Sequence, residues 1–300
     1  MAAFNRGTGL LIIEVRHSNP NGDPDMESEP RTLEMDGRGL ISPVSFKRKL
    51  RDLVGEKEGP VWTAARDNLK FSGDAGFDIL ESRGRDRKVI AAMSPEDFKL
   101  KYWDGRVFGA TFLEEGLKDD PGNKDAKKEK SPKARNHINT GAVQFGPGVS
   151  IAPIEIDRLT TTNKAGVEGD KDRGLAPLGW RVVRHAVYAM PFYVNAAAAT
   201  KSGCTAKDIT LLQFVIPQAY RHTASAVRPS IEIRHAWYAE HRTPLGSCPD
   251  AALIDALMPK VKDGKPKPTA YDDYNVPGNL PPALKDRLQS FQDLVEKIWG

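Results

Sequence analysis

The sequence predicts an α+β fold, and three observations carry that expectation. Period-two apolar segments alternate along the chain with period-3.6 ones, so strands and helices build one architecture. Two long polar excursions interrupt this alternation. The 300 residues, 39% of them hydrophobic at a mean hydropathy of −0.49, allow one large domain or two smaller ones with a sizeable core.

The first element is the run from Leu10 to Arg16. Leu11, Ile13 and Val15 take one face, and Leu10 and Ile12 the other, as a central strand requires. HSNPNGDPD (17–25) then ends it with two prolines, a glycine, two asparagines and two aspartates. In ISPVSFKRKLRDLVGEKEG, Ser42 is placed to cap a helix with Pro43 at its first position. Phe46, Leu50, Leu53 and Val54 share one stripe of that helix, flanked by Lys47, Arg48 and Arg51. Residues 60–140 read as an insertion. They hold ordered pieces such as VWTAARDNLKF and KYWDGRVFGATF, and a lysine-rich run at 118–136 that reads as a mobile loop.

The segments AVQFGPGVSIAPIEIDRL (142–159) and WRVVRHAVYAMPFYV (180–194) form a strand pair. The polar, glycine-rich stretch between them is expected to project as a long hairpin or loop. Thr205 can cap a helix with Ile209, Leu212, Ile216 and Tyr220 on one face and a kink at Pro217. SIEIRHAWYAEH is a strand with Ile231, Ile233, His235 and Trp237 on one side, and Leu284, Leu288, Phe291, Leu294 and Ile298 mark a terminal helix. With the excursions set aside the order is βαββαβ, that of a ferredoxin-like, RRM-like domain. RNA binding follows from that order by analogy alone, since RVFGATF (106–112) lacks the RNP1 arrangement of aromatics.

Composition narrows the function. With 44 basic and 40 acidic residues the net charge is +4, which permits an anionic partner without requiring one. Cys204 and Cys248 imply no disulfide framework and a reducing compartment. MAAFNRGTGLL lacks a signal-peptide layout and no segment is long enough to cross a bilayer, so the expected location is the cytoplasm. His235 and His241 have no Glu or Cys at zinc-site spacing, and no nucleotide loop or nucleophile elbow is present. His185 and His235 sit in strand patterns and read as structural, and neither cysteine has a base nearby in sequence. No cofactor, metal or catalytic residue is expected.

Several strings, in order, resemble one known family. NPNGDPD is followed by Pro30-Arg31, GLISPVSFKRKLRD, DGRVFGA (104–110), GAVQ (141–144), RLTTTNKA (158–165) and RHTASAVR (221–228). Together they resemble the backbone subunit of the CRISPR Cascade complex, the seventh Cas family of the RAMP superfamily, in its type I Csd or Csh branch. That resemblance implies a hand. The palm would span about 1–58, 141–158 and 180–300, the fingers about 59–140 and the thumb about 159–179. It also implies copies stacked head to tail along a CRISPR RNA, contacts that repeat without closing, other Cascade subunits as neighbours, and a guide that pairs with target DNA in antiviral defence. The lysine-rich finger run, NAAAATKSGCT and the tail after His241 depart from the family pattern.

Candidate RNA contacts follow. Lys47 and Arg51 stand four apart on one helix face, able to reach successive phosphates without reading sequence; the alternative is a solvated face. Arg48 lies beside them. Asn19 and Asn21 can donate to phosphate or ribose oxygens near Gly22, and His17 can stack on a base or donate to a phosphate. Gln144, Lys164, Arg221 and Arg228 are further candidates, and Leu175 and Leu178 could wedge between bases. Asp23 and Asp25 carry two readings. In one they serve a RAMP-type, metal-dependent endoribonuclease; in the other they cap turns and pair with Arg31 or Lys47. The expectation adopted is a non-catalytic guide-RNA-binding subunit, with the endoribonuclease and a general RNA-binding assembly protein as alternatives.

Overall fold

A computed structural model of the chain describes residues 4–112, 136–164 and 175–299, with side chains described outside 161–178 and 298–299. Its centre is β1 (Gly7–Ser18), buried on both faces as far as Val15. Seven further strands join it in one antiparallel sheet: β2 (Arg38–Ile41), β3 (Val143–Phe145), β4 (Gly148–Pro153), β5 (Ile156–Lys164), β6 (Leu175–Val194), β7 (Ser230–His241) and β8 (Leu288–Asp293). The order across the sheet is β8–β7–β1–β6–β4–β2, with β3 and β5 pairing β6 on either side of β4. β1 reaches β6 only as far as the Ser18–Val183 pair. Beyond Val183, β5 and β6 run on as a two-stranded ribbon to the Lys164–Leu175 pair.

Two layers cover the sheet. Leu11, Ile13 and Val15 face a core made with α1 (Pro43–Gly55) and α7 (Ala206–Val215), where Phe46, Leu50, Val54, Leu211, Leu212 and Val215 are buried. Ser42 caps α1 as expected, its Oγ accepting from the Ser45 N–H at 3.2 Å. Thr205 caps α7 in a reciprocal box with Asp208. α7 stops at Val215 and continues as a 3₁₀ turn over Ile216–Gln218, so Pro217 ends this helix where a kink was expected: its ring cannot continue the α ladder.

The opposite face, with Leu10, Ile12, Val187, Ala189 and Trp237, is covered by the C-terminal segment through α8 (Asp250–Leu257), Tyr274, Leu280 and Leu288.

Two strand expectations are corrected. In place of one terminal helix from Leu284 to Ile298, Leu288–Asp293 form β8, which pairs with β7, between short helices at Pro282–Lys285 and Glu296–Trp299. An unpaired edge of β7 offers backbone partners that outweigh a helical apolar spacing broken by Gln289, Ser290 and Gln292. In β7 the alternation also shifts. Ile12 pairs His235 while Ile13 pairs Ile233, leaving Arg234 as an extra residue. That bulge turns Ile233 to the α1–α7 side and Trp237 to the other.

The insertion after α1 holds α2 (Pro60–Asn68), α3 (Arg87–Ala92), α4 (Pro95–Lys101) and α5 (Trp103–Val107), closed by a ribbon of Gly109–Phe112 against His137–Thr140. A small core of Leu80, Ile90, Phe98, Tyr102, Ala110 and Phe112 lies within it. Gly109 has φ +94°, and a Cβ on Gly141 would lie 2.2 Å from the Gly109 nitrogen. The glycines of DGRVFGA and GAVQ are therefore needed where their two backbones meet. α6 (Ala196–Ser202) precedes α7. The lysine-rich run, except Asn136, lies outside the described residues. No helix among the described residues is long and apolar enough to cross a membrane.

Candidate nucleic-acid interface

The opening loop is organised by its own polar side chains. His17 takes a left-handed φ of +41° at the end of β1, exposed, with Nδ1 4.0 Å from Asp157. Asn19 is buried. Its Nδ2 donates to the carbonyls of Ser28 (2.7 Å) and Arg181 (3.2 Å), while its Oδ1 has no partner. Asn21 Oδ1 accepts from the Ser42 N–H at 2.8 Å, tying the loop to the start of α1. Asp23 accepts from the Asp25 N–H at 3.1 Å and lies 3.4 Å from Arg31. These are contacts of the kind the turn-ordering reading describes. Asp25 is exposed, and among the described residues no group of three His, Cys, Asp or Glu is placed to hold a metal ion.

On α1 the basic row divides. Arg51 Nε donates to Asp104 Oδ2 at 2.8 Å, and Asp104, fully buried, also accepts from the N–H groups of Leu80 (2.7 Å) and Glu81 (3.2 Å). Arg48 donates to the Glu81 carbonyl at 2.9 Å and pairs with Asp52 at 2.8 Å. Of the pair Lys47 and Arg51, expected to reach successive phosphates together, Arg51 is thus held to the fold through its Nε. Lys47 is different. Its Nζ lies 5.5 Å from the centre of the Phe108 ring, which Arg51 also approaches at 5.3 Å. No carboxylate among the described residues comes within ion-pair distance of it. Burial, and then the charge of Arg51, hold its pKa below the ordinary lysine value.

Lys49 was missed. It is buried, donating to Ser45 O (3.3 Å) and Ser45 Oγ (3.2 Å), with Nζ 5.1 Å from the Tyr220 ring. Burial, and then Arg228, push its pKa down to about 8. The signal was present: position 49 lies three after Phe46 and four before Leu53, so this lysine stands on the apolar stripe.

Arg228 Nε donates to the Asn19 carbonyl at 3.0 Å, and the Asn19 N–H donates to Val227 O at 2.7 Å. The opening loop, α1 and RHTASAVR therefore converge on Asn19, Lys49 and Arg228. Arg221 is exposed and reaches Gln218 Oε1 at 3.5 Å. Gln144 is exposed on β3, its Nε2 turned back to the Gly141 carbonyl at 3.2 Å. The side chains of Lys164, Leu175 and Leu178 lie outside the described residues.

DGRVFGA acts as a clamp. Besides Asp104 it supplies Arg106, whose Nε and Nη2 donate to the two oxygens of buried Asp208 at 3.0 and 2.6 Å. Arg106 also donates to the carbonyls of Lys99 (2.6 Å) and Gly76 (2.6 Å). Of the histidines, His185 meets Glu14 at 3.2 Å and His235 meets Asp293 at 2.7 Å, both within the fold as expected. Burial raises the pKa of both cysteines. Of the α1 cations, Lys47 and Lys49 thus have no carboxylate within ion-pair distance among the described residues, whereas Arg48 and Arg51 do.

A model of the family described as CRISPR-associated protein Cas7 matches residues 5–279. The CRISPR-associated protein Cas7 of Haloferax volcanii is 27% identical over 242 residues, which span 75% of this chain and 67% of that protein. Two solved structures are also similar. One is a chain of a CRISPR RNA-guided surveillance complex in a pre-nicking form, at 15% identity and a TM-score of 0.43, with 78% of each chain covered. The other comes from a CRISPR RNA-guided surveillance complex, at 16% identity and a TM-score of 0.41, covering 87% of this chain and 77% of that one. The family match runs through the opening loop, the basic helix, the clamp and RHTASAVR, and this chain belongs to the Cas7 family of CRISPR-associated proteins.

Proposed function

We propose that the protein is a non-catalytic backbone subunit of a type I CRISPR surveillance complex, binding guide RNA and presenting it for pairing with target DNA. The observation that carries this reading is the family match over residues 5–279. Lys47 supports it, as a cation held at the α1 surface beside Phe108 with no carboxylate in reach among the described residues. A point charge on phosphate gives affinity without sequence preference, as a subunit serving many guides needs.

The finer parts of the reading rest on further features. A ferredoxin-like palm is supported by the strand order β7–β1–β6–β4, with α1 after the first of these in sequence and α7 before the last. The insertion carrying α2–α5 fits fingers, and the β5–β6 ribbon fits a thumb. Copies arranged head to tail along the guide, contacts with other complex subunits, a cytoplasmic location and the Csd or Csh branch complete the proposal. The branch is supported by NPNGDPD and GLISPVSFKRKLRD.

The test is the fate of a labelled CRISPR RNA incubated with the protein and magnesium, then lightly digested with nuclease. Intact RNA with regularly spaced protection is expected. Metal-dependent cuts that disappear in Asp23→Ala or Asp25→Ala would make the protein a nuclease.

A further inference from the structure

Asn21-Gly22 is the one place in the sequence where a glycine follows an asparagine. The fold uses each residue for its own reason. Asn21 Oδ1 accepts from the Ser42 N–H at 2.8 Å and so ties the opening loop to the cap of α1. Gly22 lies so close to the facing backbone that a Cβ there would stand 2.9 Å from the Ser28 carbonyl oxygen. The pair is therefore held in place by packing on one side and by a hydrogen bond on the other.

The same arrangement favours a reaction between the two residues. The backbone nitrogen that follows an asparagine can close a succinimide ring on the side-chain Cγ, and glycine puts no side chain in its path. Asn21 Nδ2 donates to the Gly22 carbonyl at 3.3 Å, which folds the side chain forward over Gly22. The Ser42 N–H, already on Oδ1, sits where negative charge develops as Cγ is attacked. Both residues are half-buried, on a loop that water reaches.

We propose that Asn21 is a site of spontaneous deamidation in the folded protein. The Gly22 nitrogen gives its proton to a solvent base and bonds to Asn21 Cγ. The Cγ–Nδ2 bond then breaks, and the amide nitrogen takes a proton from water and leaves as ammonia. Water opens the resulting succinimide at either carbonyl, so the change needs no reactant beyond water. Opening at Cγ gives aspartate, which keeps an acceptor for the Ser42 N–H and adds negative charge at the start of α1, where a helix favours it. Opening at the other carbonyl gives isoaspartate, in which the main chain runs through the former side chain. The Arg31 N–H then loses the backbone carbonyl of Asn21, to which it donates at 3.0 Å. An ageing chain thus divides into a form that keeps the internal ties of the opening loop and a form that loses one. The inference does not depend on the RNA-binding reading.

The full-length chain is aged under native conditions at neutral and at alkaline pH, then digested and mapped by peptide mass. Circular dichroism checks that it stays folded. Acid is expected at Asn21 before any other asparagine, sooner at alkaline pH, as two peptides of equal mass that separate on a column. Asn19 is the control within the same loop: the nitrogen of Pro20 carries no hydrogen and cannot close the ring, so Asn19 should remain an amide. Asn21→Gln, whose longer side chain does not form a succinimide, should lose the signal.

An Asn21 that stays intact in the native chain but converts in the urea-unfolded one would show that the fold protects the pair, and would overturn the proposal. So would conversion at Asn21 no sooner than at the other asparagines. A single aspartate product with no isoaspartate would overturn the succinimide route in favour of direct hydrolysis.

Discussion

The clamp around α5 and the basic row of α1 use the same residue types to opposite ends. In the clamp every charge has its counterpart: Arg106 meets Asp208 and three backbone carbonyls, and Asp104 meets Arg51 and two backbone N–H groups. On the row, Lys47 and Lys49 lie half-buried or buried among aromatic rings, with no carboxylate among the described residues within ion-pair distance. Burial of an ion is costly unless it is paired. A fully paired set therefore reads as framework, joining the insertion to α1 and α7. An unpaired set reads as a surface whose partner comes from outside.

The comparison can be broken first at the clamp. Asp208→Ala takes the carboxylate from the buried Arg106 guanidinium, leaving it backbone carbonyls alone, and removes the reciprocal half of the α7 capping box. Stability should fall by about 3–5 kcal/mol in denaturant titration. A loss below about 1 kcal/mol, the scale of an exposed pair, would show that the clamp is not framework.

Next comes the row. Lys47→Ala should leave the denaturation midpoint unchanged but weaken CRISPR RNA binding about tenfold at low salt, with the salt slope reduced by about 1. An unaltered slope would return Lys47 to the solvated-surface reading.

Lys49→Met sharpens the contrast within the row. Its ammonium is disfavoured by burial in the folded chain, so the unfolded chain holds that proton more tightly. The charge therefore lowers stability below pH 8, and the penalty fades as pH rises from about 8 towards the unfolded lysine value. The variant should be more stable than wild type by about 2 kcal/mol at pH 7, and this gain should shrink above pH 8. A gain that does not change with pH would mean that packing, not charge, is responsible.

The smallest effect is expected at Arg48, whose exposed i,i+4 pair with Asp52 is worth about 0.3–0.5 kcal/mol. Arg48→Ala should leave RNA affinity close to wild type. A loss comparable to that of Lys47→Ala would show that its contacts with Asp52 and Glu81 yield to RNA.

Local signals in the chain specified what depends on near neighbours. β1 was legible from alternating Leu and Ile, α1 from Ser42, Pro43 and its apolar stripe, and α7 from Thr205, because caps and periodicity act within one or two turns. The convergence of helix, opening loop and RHTASAVR was legible only as an ordered set of strings. Which α1 cations were available was not legible. Lys49 stands apart by its place on the apolar stripe, but Lys47, Arg48 and Arg51 look equivalent in sequence, and what separates them is Asp104, far along the chain, together with burial against Phe108. The terminal strand and the bulge at Arg234 were likewise settled by the partner edge each met in the sheet. Periodicity and capping are properties of a short segment and can be read from it; the partner of a charge or of a sheet edge is chosen by the folded chain, since only there are distant residues brought within a few ångströms.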